Sequence, residues 1–346
     1  MSLNKKILLF LAILLSCTFG FVAFLLGYSE SKLNPKGSRD IFDRKNRFEA
    51  TIGERKAQNS AEKGTLLISS LKSNMFLLIL FTSWVDRQEK YIVQNRTVRN
   101  WFSFGPYIHP VIFTNDNNLG YRCRQQGWSV LPLKHTAAGG VPIVKYMFLD
   151  AMHHFNSTFY GFANADILFN DGLVKSLVTI RQFTDVYTDQ VLVAGRRTNV
   201  DYKITSSASD WRNITSLGNK GKLATTLSAD YFITTNDYPW KDMEEIIIGH
   251  LRVDNWIIQF SQLKNIFVIN STPTILALHQ TTEAGNFENS LKPNRLYNQD
   301  LVKKVRNVSI NIREAQVGCG EFVTQFGRTG QVQIVKQIRL KECKVL

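Results

Sequence analysis

The stretch FYGFANADILFND, residues 159–171, decides how the chain reads: an apolar run from Phe159 to Ala163 meets Asn164-Ala165-Asp166 and resumes as Ile167-Leu168-Phe169. A run that is apolar on both faces is what a parallel sheet covered by helices requires. A carboxylate where such a strand leaves the core stands at the edge of a crevice. There, oxygen ligands hold Mg2+ or Mn2+ against a diphosphate, and few protein ligands are needed because phosphate oxygens and water complete the shell. The competing reading is a turn Asp between two strand halves.

The flanking sequence repeats the pattern. MFLLILFT (75–82) has the length of a buried strand, Gln88–Phe102 is helical in its spacing, and HPVIFT (109–114) is a second strand ended by NDNNLG. The strand WSVLPL (128–133), a helix from Val144 to Phe155 and the strand TFYGFA (158–163) follow. Strands alternating with helices predict βαβ units, hence an α/β fold with a mainly parallel sheet and ligands beyond the carboxyl ends of its strands. Those ends carry Thr82, Asn115-Asp116 and Asn164-Ala165-Asp166. No G-x-G-x-x-G follows the first strand, and neither G-x-x-x-x-G-K-[ST] nor G-x-S-x-G occurs. A dinucleotide site, a P-loop and an α/β-hydrolase lose their support.

Two further clusters carry chemistry. IFVINSTPTILALHQ (266–280) is strand, turn and strand, and ends at His279, an imidazole able to complete a divalent metal site. In GHLRVDNWIIQ (249–259), Asp254 precedes a helical run, where a carboxylate either caps the orphan N–H groups or serves as a general base.

The 346 residues include 42 Lys and Arg against 28 Asp and Glu, a net charge of +14, with 44% hydrophobic and 12% aromatic content. This composition excludes a mainly disordered chain. The charge is uneven: residues 1–72 hold 12 basic and 6 acidic residues, 73–286 hold 19 and 17, and 287–346 hold 11 and 5. The centre is nearly neutral, so nucleic acid is not an expected partner.

Residues 7–27 are uncharged. A helix of 20 residues spans ~30 Å, enough for the hydrocarbon core. Lys5 and Lys6 before it predict a cytosolic tail (1–6), a signal anchor (7–27) and a luminal remainder. A polar stalk (28–72) follows, then a catalytic domain (73–286) and a basic, strand-rich extension (287–346). Asn95, Asn156, Asn213, Asn270 and Asn307 each begin an Asn-x-Ser/Thr triplet, which fits a luminal chain without proving it. Of the luminal cysteines, Cys319 and Cys343 flank a hairpin they are placed to clamp, with Cys123 left over.

Taken in order, LLILFTSW (77–84), FTND (113–116), GGVPIVKYMF (139–148), FANADILF (162–169), LVAGRRTNVD (192–201), DYFITTNDYPW (230–240), IIIGHLRVDNW (246–256) and TPTILALHQ (272–280) resemble a glycosyltransferase of the GT-A fold, a nucleotide-diphospho-sugar transferase. It is nearest to a poorly characterised set sharing the NADI, GRR and DNW segments. The resemblance covers residues 75–280. It implies a Rossmann-like fold and transfer of a sugar from a nucleotide diphosphate, UDP-linked by expectation, to a glycan or glycoprotein, assisted by Mn2+ or Mg2+. In its D-x-D position Asp166 matches the metal-contacting residue, while Asn164 replaces the first carboxylate with an amide suited to a ribose hydroxyl. His279 matches a further metal ligand, and Asp254 the region of the base in inverting members. Arg196 and Arg197 are candidates to neutralise the diphosphate, or else structural. Thr82, Asp116 and Lys145 are assigned to the nucleotide pocket. The polar segment 200–229 reads as an acceptor-side or lid loop, or else as a solvated insertion. Together these predict a single-pass type II protein of the Golgi membrane, with a homodimer left open. The rival is a catalytically silent luminal binding protein that keeps the GT-A shell.

Overall fold

In a computed structural model the described residues are 75–207, 211–283 and 293–343. The tail, the anchor at 7–27 and the stalk lie outside them; no helix among the described residues is long and apolar enough to cross a membrane. The strands β1 (Phe76–Thr82), β2 (Ile108–Phe113) and β3 (Ser129–Leu131) alternate with the helices α1 (Tyr91–Phe102) and α2 (Asn117–Gln125). A short two-stranded ribbon of β4 (Thr136–Ala137) and β5 (Val141–Pro142) leads into α3 (Val144–His154), then β6 (Ser157–Ala163), β7 (Ile167–Phe169) and α4 (Gly172–Tyr187). The second half runs through β8 (Val191–Asp201), α5 (Trp211–Gly218), β9 (Lys222–Leu223), β10 (Ala229–Thr235) and α6 (Val253–Leu263). It ends with β11 (Phe267–Asn270), β12 (Ala277–Thr281), α7 (Tyr297–Arg306), β13 (Phe322–Phe326) and β14 (Val332–Lys336).

Nine of these strands lie side by side in the order β14-β13-β11-β8-β10-β6-β1-β2-β3. The pairs β1–β2, β2–β3, β1–β6, β8–β11 and β11–β13 are parallel. β10 is reversed, antiparallel to both β6 and β8, as is the edge strand β14 against β13. The result is a mixed α/β protein with a large, mainly parallel sheet and flanking helices, consistent with a Rossmann-like GT-A fold. The apolar runs form strands because both faces are covered: Ile79 and Phe81 pack in one cluster with Phe148 of α3, Trp240, and Trp256 of α6, while the alternating Leu78 and Leu80 are equally buried on the other face.

β8 serves two sheets. Val191–Ala194 pairs with β11, whereas Arg197–Asp201 pairs with β12, which in turn runs antiparallel to β7. Between the halves sits Gly195, where a Cβ would stand 2.1 Å from the Tyr231 hydroxyl, so only glycine fits the crossing.

Two expectations need correction. The 200–229 segment is not one polar loop: β8 continues to Asp201, a 3-10 turn spans Tyr202–Ser207, and α5 and β9 follow. Likewise the described part of 287–346 is not simply strand-rich, for it holds the helix α7, and its hairpin β13–β14 adds to the edge of the main sheet beside β11. The Cys319–Cys343 disulfide is formed, and Cys123 is free and buried.

Candidate functional site

The carboxyl ends of β1, β2 and β6 open onto a cleft of about 560 Å3, within the range that takes a small-molecule ligand. Asp166 reaches it from the turn joining β6 to β7. That turn is held from two sides. The edge of β7 that faces α1 is bound by Asn100, whose amide donates to the Phe169 carbonyl (3.0 Å) and accepts from its N–H (2.8 Å), and by the Trp101 indole, which donates to the Ile167 carbonyl. On the other edge β12 pairs so that His279 lies opposite Ile167. The register brings His279 Nε2 to 3.2 Å from Asp166 Oδ2, joining the two residues expected to hold a metal. Burial by itself would raise the Asp166 carboxyl, but His279, Lys90 and Arg197 outweigh it and hold it below the ordinary carboxylate range. Its Oδ1 is buried without a hydrogen-bond partner.

Asn164 does not stand free for a ribose. Because β10 runs antiparallel to β6 with Tyr231 opposite Ala163, the next pair is Asn164 and Asp230. The Asn164 amide donates to Asp230 Oδ1 at 2.7 Å, and the Arg197 guanidinium donates to the same oxygen at 2.7 Å. Asp230 is 5% exposed, lines the cleft, and leaves Oδ2 buried and without a partner.

The remaining candidates divide. Thr82 lines the cleft, fully buried, with its hydroxyl unpartnered. Asp116 lines it too, yet its Oδ1 accepts from the N–H groups of Asn118 and Leu119 and so caps α2. Lys145 is not part of the lining; its ammonium donates to the Met243 carbonyl at 3.1 Å and stands 3.8 Å from Glu245. Arg196 is turned elsewhere, with Nε donating to the Ala224 carbonyl, and only Arg197 of the pair reaches the cleft. Asp254 is also outside the lining. The cap position of α6 is Arg252, in the left-handed region at φ 72°, and Asp254 sits inside the first turn. Its Oδ2 accepts from the Ala229 N–H at 3.1 Å and its Oδ1 from Asn255 N–H at 2.9 Å, tying α6 to the start of β10. Burial pushes the Asp254 carboxyl up to about 6, those backbone donors opposing it and the neighbouring Asp230 charge adding to it.

Four charged lining residues have no counterpart in the sequence reading: Asp230, and Asp86, Arg87 and Lys90, which follow β1. The sequence offered one usable signal, the lone acidic residue opening the apolar strand DYFITT.

No group of three His, Cys, Asp or Glu placed to hold a metal exists among the described residues. The donor set that does exist is a carboxylate and an imidazole in contact, with one carboxylate oxygen unpartnered. That set fits a hard divalent ion whose shell is completed by phosphate and water.

No family model matches the chain, and no curated protein matches it. Solved structures do. A mannosyltransferase from Pyrobaculum calidifontis, in complex with GDP-Man and Mn2+, is 9% identical with a TM-score of 0.36 over 62% of this chain and 59% of that one. A putative nucleotide-diphospho-sugar transferase from Desulfovibrio desulfuricans is 7% identical, with a TM-score of 0.31 over 57% of this chain and 79% of the other. The inositol-1-phosphate CTP transferase of T. maritima is 12% identical, with a TM-score of 0.33 over 68% and 99%. The chain thus spans less than two thirds of the mannosyltransferase, and no residue role or activity is carried over from likenesses of this size.

Proposed function

We propose that the chain is a glycosyltransferase using a nucleotide-diphosphate sugar, UDP-linked by preference, and a glycan or glycoprotein acceptor. The observation that carries this reading is the Asp166–His279 pair at the strand ends of a 560 Å3 cleft whose walls also present Arg87, Lys90 and Arg197. A carboxylate–imidazole pair beside several cations suits a metal-bridged diphosphate. Asp166 and His279 would hold Mn2+ or Mg2+, which when bound stabilises charge on the departing nucleoside diphosphate. Lys90 and Arg87 supply fixed positive charge to the same group. Thr82 and the ends of β1 and β2 would receive the nucleoside. The anchor at 7–27, the type II orientation and the Golgi membrane belong to the same proposal, supported by the uncharged span and by the Cys319–Cys343 bridge, which suits an oxidising compartment.

A thermal-shift panel tests it: UDP- and GDP-sugars raise the unfolding midpoint in the presence of Mn2+, and one donor does so most, by ligand linkage. No shift with any donor sinks the reading. Asn164, which brings no charge, favours the rival shell that binds a donor without transferring it; release of free nucleoside diphosphate on adding acceptor separates the two.

Asp254, read from the sequence as a cap or a general base, lies outside the cleft with both oxygens on backbone N–H groups, so we assign it the tie between α6 and β10 rather than the proton of a bound hydroxyl. With its carboxyl raised to about 6 in the fold, ionising it opposes folding, so stability falls as pH rises from about 4 through 6. Chemical denaturation at stepped pH should lose that slope in Asp254→Asn. An unchanged slope in the variant assigns the titration elsewhere.

A further inference from the structure

We propose that Asp230 reads the hydroxyl groups of the sugar carried by the donor, its free Oδ2 accepting their hydrogen bonds; this rests on the reading of the cleft as a nucleotide-sugar site. Asp230 is 5% exposed, and its two oxygens are treated differently. Oδ1 takes both available donors, Asn164 and Arg197, at 2.7 Å each. Oδ2 takes none, although it is buried and its residue faces the cleft. An anionic oxygen left without a donor in the interior is costly, and a ligand that brings donors relieves the cost. Phosphate oxygens cannot do so, since they only accept. Sugar hydroxyls can.

The sheet order says which part of the donor arrives there. Along β8-β10-β6-β1-β2, Asp166 follows β6 at the centre, with Thr82 and Asp116 on the β1–β2 side and Asp230 with Arg197 on the β10–β8 side. With the diphosphate at Asp166 and the nucleoside over β1 and β2, the sugar falls on the side of Asp230. Two charge-assisted bonds lock its carboxylate plane, so the acceptor is preorganised rather than adaptive. A buried acceptor of this kind penalises an analogue that lacks the matching hydroxyl.

The test uses calorimetric titration of the full chain with Mn2+ against UDP, GDP, UDP-glucose, UDP-galactose, UDP-N-acetylglucosamine and GDP-mannose. Asp230→Asn conserves shape and can still accept from Arg197 and Asn164, while placing an N–H donor where Oδ2 was. The tightest sugar nucleotide is expected to weaken about 10-fold or more, while its parent nucleoside diphosphate stays within about 2-fold. Equal weakening of both, which a ribose contact or a purely structural role would give, overturns the proposal, as does no weakening of either. An increased Mn2+ requirement with sugar discrimination intact would make Asp230 a metal-side group and also overturns it. Monodeoxy analogues of that sugar nucleotide, titrated into the wild type, keep the proposal testable if the variant does not fold: at least one missing hydroxyl must cost about 10-fold, and no loss with any analogue refutes it. If the wild type binds no member of the panel, the donor-site reading itself has failed.

Discussion

For the proposed transferase, Asp166→Asn is expected to leave the protein folded and to cut the transfer rate at least about 100-fold, equivalent to roughly 3 kcal/mol of lost transition-state stabilisation. The substitution keeps the shape of the side chain and removes the charge that His279, Lys90 and Arg197 surround. β7 itself does not hang on that charge, for it is held by Asn100, Trp101 and β12 through its backbone. Mn2+ should cease to raise the unfolding midpoint of the donor complex, since the carboxylate in contact with His279, which would hold the ion, is gone. A variant that keeps near-wild-type turnover with an undiminished Mn2+ response would remove Asp166 from the chemistry.

Arg197→Ala is the substitution with the largest structural consequence. The Arg197–Asp230 pair is nearly out of solvent, at 16% and 6% side-chain exposure, and Arg197 is the only cation in contact with Asp230 among the described ion pairs. Removing one member of a buried pair strands the other charge, which costs about 3 kcal/mol or more. For a domain of this size that lowers the unfolding midpoint by on the order of 10 °C. The double variant Arg197→Ala with Asp230→Ala strands no charge and should recover part of the loss. Failure of the single variant to destabilise, measured by chemical denaturation, would show that water already reaches the pair. Donor affinity falls in both variants, because neither retains a pinned Asp230.

The contrast between Asp166 and Asp230 shows what could be read in advance. β1, β2 and β6 announce themselves because strands buried on both faces must be apolar throughout, and the residue after each is visible as the first polar one. Asp166 and His279 were singled out by that logic, and the structure puts the two in contact. Asp230 escaped it because β10 runs the other way: in a reversed strand the end that meets the cleft is the amino end, and nothing local marks a strand as reversed. Adjacent strand residues point to opposite faces, so one of Arg196 and Arg197 had to turn away, but the sequence does not say which. The Asn164 amide looked like a deficit of charge; the structure shows it spent on holding Asp230, a partner 66 residues away. Arg87 follows β1 in a segment without periodicity, and Lys90 lies at the start of the helical spacing at 88–102, which does not report which side chain turns to the cleft. For Asp254 the residue type was legible, but its tie to the Ala229 backbone comes only from the packing of α6 on β10.

β8 has a consequence for how the two halves of the site are spaced. One strand of 11 residues carries Arg197, the partner of Asp230, and pairs with β12, which carries His279, so the two parts of the site are set by the register of a single strand. Across the cleft the wall is built differently: residues 83–87 have no regular secondary structure before the 3-10 turn Gln88–Lys90, and Gly139 and Gly140, with φ of 86° and 97° and open space around them, make the turn of the β4–β5 ribbon. One wall is paired strand and the other is largely turn and loop.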